Sequence, residues 1–150
     1  PGIGDKIEEM EETMNRAAEA AAGAATSIFK DAVTGMSIDT AKEILNGGAT
    51  AATDYFSKVC REALAGVFAP IVTEKVNEMG VVVVLDFILD AFGALPFCDR
   101  PDFDVGAYVL TKALDGLFHM VAEQEGVIRG SDSRGSECLD EVFGSVEKKE

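Results

Sequence analysis

Apolar residues recur at steps of three and four along nearly the whole chain. The pattern is most regular over residues 111–129, where Leu114, Leu117, Phe118, Val121, Val127 and Ile128 fall on one side and Lys112, Asp115, Glu123 and Glu125 on the other. The spacing predicts an amphipathic core helix with Thr111 at its N-cap and Arg129 in the last turn, where the helix dipole favours a cation. The same period runs through 4–33. There Ile7, Met10, Met14, Ala17, Ala21, Ala24 and Ile28 form a heptad-like seam that turns from large side chains to alanine, so another helix is expected to cross most closely over 17–25. A helix of that length would run to roughly 45 Å, against a radius of gyration of about 15 Å for a compact chain of this size. It must bend near Gly23 or carry its acidic first turns out from the body.

Breakers divide the rest of the chain. Gly35 ends the first helix, Ser37 opens a short one over 39–45, and Asn46-Gly47-Gly48 stops it. A third helix, 50–68, is predicted to bury Ala52, Tyr55, Phe56, Val59, Cys60, Ala63, Leu64 and Val67. Pro70 is then expected to restart the chain as a fourth helix, 71–79, ended at Gly80. The run 81–95 begins with four valines and has strand propensity. Asp86 and Asp90 nevertheless make one polar stripe at helical spacing, and no second strand exists to pair with it, so a helix is predicted.

Residues 96–102, with Pro96 and Pro101, read as a loop. A short helix over 103–110, capped by Asp102 or Asp104, leads into 111–129. After the polar turn 130–135, Ser136 is placed to cap a last helix, 137–143, which docks through Leu139, Val142 and Phe143. The expectation is an all-α, single-domain irregular bundle of about seven helices with a long N-terminal helix and no sheet. The domain spans 1–146 and is followed by a frayed charged tail, 147–150.

Charge then narrows the partners. The 150 residues carry 27 acidic against 13 basic side chains, a net charge of −14. A phosphate backbone needs a basic footprint that is missing here, so nucleic acid is excluded as a partner. An anionic bilayer is disfavoured in the same way, whereas a basic protein surface or a cation would be attracted. No uncharged apolar span is long enough for a transmembrane helix. The chain begins at Pro1 with neither an initiator Met nor a signal pattern, and the expectation is that an upstream segment has been removed or was left out of this sequence.

Candidate chemistry is sparse. Cys60, Cys98 and Cys138 lack zinc-site spacing. Cys60 reads as a small core residue, while Cys98 and Cys138, in or beside loops, are the candidate pair for a disulfide in an oxidising compartment. Asp115, His119 and Glu123 stand one turn apart on one helix and form the sharpest metal candidate, weighed against an ordinary solvated polar face. Asp86 and Asp90 are either an acid and base pair or the exposed edge of a buried helix. Arg16 and Arg61 either anchor an anion or snorkel.

The only His has no nucleophile elbow beside it, and the Gly-rich turns lack a phosphate-binding frame; no catalytic residue and no cofactor is expected. What stands out is surface. Val81, Val82, Val84, Leu85, Phe87, Ile88, Phe92 and Phe97, with Val83, Leu89 and Leu95 among them, put apolar groups nearly all round one helix. That is more than one face of a small bundle buries.

Five blocks carry a family resemblance: MNRAAEAAA (14–22), DAVTGMSIDTAKEILNGGATAATDYF (31–56), FAPIV (68–72), KALDGLFHMVAEQEGVIR (112–129) and VFG (142–144). In this order they resemble the signature blocks of domain of unknown function 4197, an uncharacterised family of exported bacterial helical proteins. The resemblance implies an all-helical domain behind a cleaved export signal and implies no activity. The chain departs from the family pattern in lacking the leader and the helical region that precedes these blocks. Its 81–95 stretch is far more apolar than the Gln-rich helix usual there, it has three cysteines, and His119 stands where an aliphatic residue is usual. By analogy, such a version fits a thylakoid lumen as well as a periplasm.

The function expected is that of a non-enzymatic accessory or structural protein of an exported compartment, docking on other subunits of a larger assembly through 81–97. The alternatives are a carrier of a small apolar ligand or lipid between helices, and a metal-binding protein or hydrolase using Asp115, His119 and Glu123.

Overall fold

The computed structural model describes residues 12, 15, 19, 23, 25–78, 80–130 and 137–147, apart from the side chains of Val81, Val84 and 145–147. The described residues form six helices and no strand. They are α1 over 25–34, with 12, 15, 19 and 23 also helical, then α2 (Ile38–Leu45), α3 (Ala51–Glu78), α4 (Val81–Gly93), α5 (Val105–Gly130) and α6 (Glu137–Glu147). The chain is all-α as expected. Ile28, half-buried, is the one member of the N-terminal seam among the described residues. The rest of the seam, with the choice between bend and projection, lies outside them, as do Ser136 and the tail beyond 147. Ala25, at the end of the alanine stretch, is buried.

Local capping explains the boundaries that fall where expected. The Gly35 N–H donates to the Asp31 carbonyl at 2.9 Å as α1 ends. Ser37 Oγ accepts the Thr40 N–H at 3.0 Å and opens α2, and the Asn46 N–H returns to the Lys42 carbonyl at 3.0 Å to close it. Gly80, between α3 and α4, has φ of +63°, a left-handed conformation that favours glycine.

Two expected breaks are absent, which merges the eight helical segments read from the sequence into six helices among the described residues. Pro70 lies inside α3 rather than at a restart. Its missing N–H deprives the Gly66 carbonyl of a donor, but Pro70 and Gly66 are both exposed, so water can take that place. Thr111, expected as an N-cap, is in the interior of α5 and donates its hydroxyl to the Ala107 carbonyl at 2.8 Å. The cap is Asp104, whose Oδ1 accepts the Ala107 N–H at 2.9 Å.

Contacts gather the chain into two compact units, each discontinuous in sequence. The first takes Pro1–Ala25 and Leu64–Leu114, and the second Thr26–Ala63 and Asp115–Glu150. In the first, Val72, Val76 and Val109 form a core cluster against which Val82, Val105 and Leu110 pack, and Leu64, Phe68 and Leu114 are buried. In the second, Phe29 meets Phe56 and Phe118 edge-on, with ring centroids 5.4 and 6.3 Å apart, and Cys60 is buried as expected of a small core residue.

The buried stripe of α3 runs Thr53, Cys60, Leu64, Phe68, Val72 and Val76. Val59 and Ala63 each stand about 100° off that stripe and are exposed, contrary to expectation, as are Val127 on α5 and Val142 on α6. No helix among the described residues is long and apolar enough to cross a membrane.

Candidate functional site

Helix α4 and the loop after it carry Val83, Phe87, Ile88, Phe92, Leu95 and Phe97, most of the large exposed apolar side chains in the first unit. The loop is tied back in two ways. Arg100 Nη2 donates to Asp86 Oδ1 at 2.7 Å, and its Nε lies 3.2 Å from Asp90 Oδ1, so one guanidinium spans both carboxylates of the α4 stripe. Gly93 permits the approach: a Cβ there would sit 2.9 Å from the Arg100 Cβ and 3.2 Å from its Cα. All three charged groups are about half exposed or more, so the clamp fixes geometry more than it stabilises the fold. Asp86 and Asp90 are therefore an exposed, paired edge and not a buried acid and base pair.

Beside this clamp, on the same exposed face of α4, Val83 and Phe87 stand one turn from Asp86 and Asp90. Phe87 is 75% exposed, Val83 is 73% exposed, and Phe97 is fully exposed at a φ of +68°, a left-handed conformation unfavourable for an aromatic residue. Ile88, Phe92 and Leu95 are exposed as well. Val82 and Leu85 are half-buried, Val82 packing on the Val72, Val76 and Val109 cluster, so these two belong mainly to the core. Val81 and Val84 are helical, with side chains outside the described set. The segment 81–104 carries Asp86, Asp90, Asp99, Asp102 and Asp104 against the one Arg100, so the stretch that bears the exposed apolar residues is also acidic.

The proposed metal residues do not converge. Arg61 Nη2 donates to Asp115 Oδ1 at 2.6 Å, and the Arg61 guanidinium lies 5.9 Å from the Phe118 ring centroid, a snorkelling arginine with a partner. His119 Nε2 is 3.4 Å from Glu123 Oε1. Among the described residues no group of three His, Cys, Asp or Glu side chains is placed to hold a metal ion. All three cysteines are free thiols; Cys98, in the first unit, is half-buried and Cys138, in the second, is exposed. Burial pushes the Cys60 thiol pKa up, which disfavours its thiolate form. Arg16 lies outside the described residues.

The sequence pattern places Glu125 on the solvated face, but it is buried in the second unit. Its Oε1 accepts the Ala52 N–H at 2.9 Å and the Arg129 Nε at 2.7 Å. Its Oε2 accepts the Thr53 N–H at 2.8 Å and the Thr53 hydroxyl at 2.7 Å. A side chain from α5 thus caps the N-terminus of α3. Arg129 in turn donates Nη2 to the Ile44 carbonyl at 2.7 Å and Nη1 to the Leu45 carbonyl at 3.2 Å, closing the C-terminus of α2. Burial opposes ionisation of Glu125, but the donors from Ala52, Thr53 and Arg129 outweigh it and hold its carboxyl below the usual range. A sequence signal for this burial exists: 114, 118, 121, 125 and 128 step by four, three, four and three, which puts Glu125 on the buried stripe.

Beside this pair the second unit has an open groove of about 460 Å³. Phe56, Met120, Val121, Ile128, Leu139 and Phe143 are among its walls, with Glu125 and Arg129 also lining it. Arg129 lies over the Phe143 ring, 5.4 Å from its centroid. This groove is not foreseeable from sequence, because its walls come from four separate helices.

The sequence model of the family described as "Protein of unknown function (DUF4197)" matches residues 1–144. No curated protein and no solved structure matches the chain.

Proposed function

The chain belongs to the DUF4197 family, and we propose that this member is a non-enzymatic accessory protein that docks on another protein of a larger assembly through the outer face of α4 and the loop after it. One observation carries the reading: Val83, Phe87, Ile88, Phe92, Leu95 and Phe97 stand exposed on an element whose backbone is fixed by Gly93 and Arg100. Burying a side chain of the Val, Ile or Phe kind gains about 1.5–3 kcal/mol. Covering several of them therefore supplies the core of an interface.

The rim selects the occupant. Two copies meeting through this face would oppose two segments that each hold five aspartates and one arginine, on chains that each carry −14, and like charges juxtaposed across an interface disfavour that pairing. The same charge repels an anionic bilayer. The partner is a protein whose apolar patch is bordered by Lys and Arg. Residence in an exported compartment, a periplasm or a thylakoid lumen, is part of the same proposal and rests on the family resemblance.

Capture from the native compartment with the wild-type chain and with the Phe87→Asp, Phe97→Asp double variant tests the reading. Both positions are exposed, so the variant keeps its helical circular dichroism. The expected result is a basic-surfaced partner held by the wild type, released by salt and lost with the variant. Identical retention by both chains would contradict the reading.

A further inference from the structure

We propose that the groove of the second unit is a binding site for a neutral hydrocarbon-like ligand, of the chemical class of a fatty alcohol or an isoprenoid without a charged head. The groove shares no wall residue with the exposed α4 face. Its volume of about 460 Å³ lies within the roughly 300–1,000 Å³ typical of small-molecule sites. Its walls come from α2 (Ile44), α3 (Phe56), α5 (Met120, Val121) and α6 (Leu139, Phe143). Apolar walls of this kind hold water poorly, so a hydrocarbon entering them displaces little that is well bound. Met120, unbranched and 56% exposed, is a side chain able to adjust to an irregular guest.

The two charged residues lining the groove decide the class. Glu125 already takes four hydrogen bonds, and Arg129 uses its Nε, Nη1 and Nη2 on Glu125, Leu45 and Ile44. Recruiting Arg129 to a carboxylate or phosphate head would uncap α2 and leave Glu125 as a buried, weakened pair. The groove therefore selects the hydrocarbon body and not an anionic head.

A titration with N-phenyl-1-naphthylamine, a neutral probe that fluoresces in apolar surroundings, tests the site on the full chain. Saturable binding of one equivalent is expected, displaced by 1-dodecanol and not by dodecanoate. Met120→Glu, at an exposed wall position, should weaken it about tenfold or more, whereas Phe87→Asp on α4 should leave it unchanged. Because the chain has no Trp, Met120→Trp gives a second reading: its emission should shift to the blue when dodecanol is added. Absence of saturable binding, loss of the probe with Phe87→Asp but not Met120→Glu, or displacement by dodecanoate as readily as by dodecanol would overturn the assignment.

Discussion

Glu125 and Arg129 stand one turn apart on α5 with Oε1 and Nε 2.7 Å apart, and together they close two helix ends that arrive from elsewhere in the chain. Glu125 is 7% and Arg129 14% exposed at the side chain, so water replaces a lost partner poorly, above all at Glu125. Removing one member leaves the other charged and buried. Glu125→Ala should therefore cost about 3–5 kcal/mol of unfolding free energy, read by urea denaturation. Glu125→Ala with Arg129→Met should cost less than the sum of the two single changes, since the double variant removes both members of one ion pair.

Acid should act on the same pair. The folded-state pKa of Glu125 lies below its unfolded value, so its contribution is complete above the ordinary glutamate pKa of about 4.3 and is lost as the pH falls through the folded value. Thermal stability of the wild type should decline as the pH falls below about 5. Glu125→Gln should be less stable than the wild type near neutrality and show a shallower acid decline. Parallel curves for the two proteins would show that Glu125 contributes nothing to acid sensitivity.

Pro70 offers a test of the unbroken α3. Proline in a helix interior costs up to about 3 kcal/mol relative to alanine, and Pro70 is exposed, off the buried stripe of its helix. Pro70→Ala restores a donor to the Gly66 carbonyl and should raise the melting temperature by several degrees. A lower melting temperature would mean that the proline supports a bend the helix needs.

Gly93 is constrained from the opposite direction. A methyl group there would meet the Arg100 Cβ at 2.9 Å, so Gly93→Ala should displace the 94–104 loop and destabilise the chain by about 1–3 kcal/mol. Arg100→Ala removes only half-exposed ion pairs and should cost less than about 1 kcal/mol, in a salt-dependent way. Amide exchange of the loop, faster in Gly93→Ala than in Arg100→Ala, would check the order.

The elements legible in the sequence are those whose cause lies within one turn. Ser37, Gly80 and Asp104 each act on neighbours three or four residues away, and the stretch 81–93 reads as a helix from the spacing of Asp86 and Asp90 and the lack of a second strand to pair with. Pro70 and Thr111 mislead because a breaker acts only where its lost bond has no other partner, and that depends on which face of the helix meets water. Glu125 sits on the apolar stripe of its own helix, yet nothing local reveals that Ala52 and Thr53, more than 70 residues earlier, present bare N–H groups to it. The apolar excess over 81–97 is visible, but not its division, in which Val82 and Leu85 turn inward while Phe87 and Phe97 stay out. The groove has no local signature at all.

Whether the α4 face is covered in the assembled state is decided by a photocrosslinker placed in turn at Phe87 and at Ile38. Both side chains are about three-quarters exposed in the isolated chain, so reactivity with solvent is matched. Irradiation in the native compartment should give a single crosslinked protein at position 87, lost on adding salt, and none at position 38. Equal crosslinking at the two positions, or none at 87, would contradict a docking role for α4.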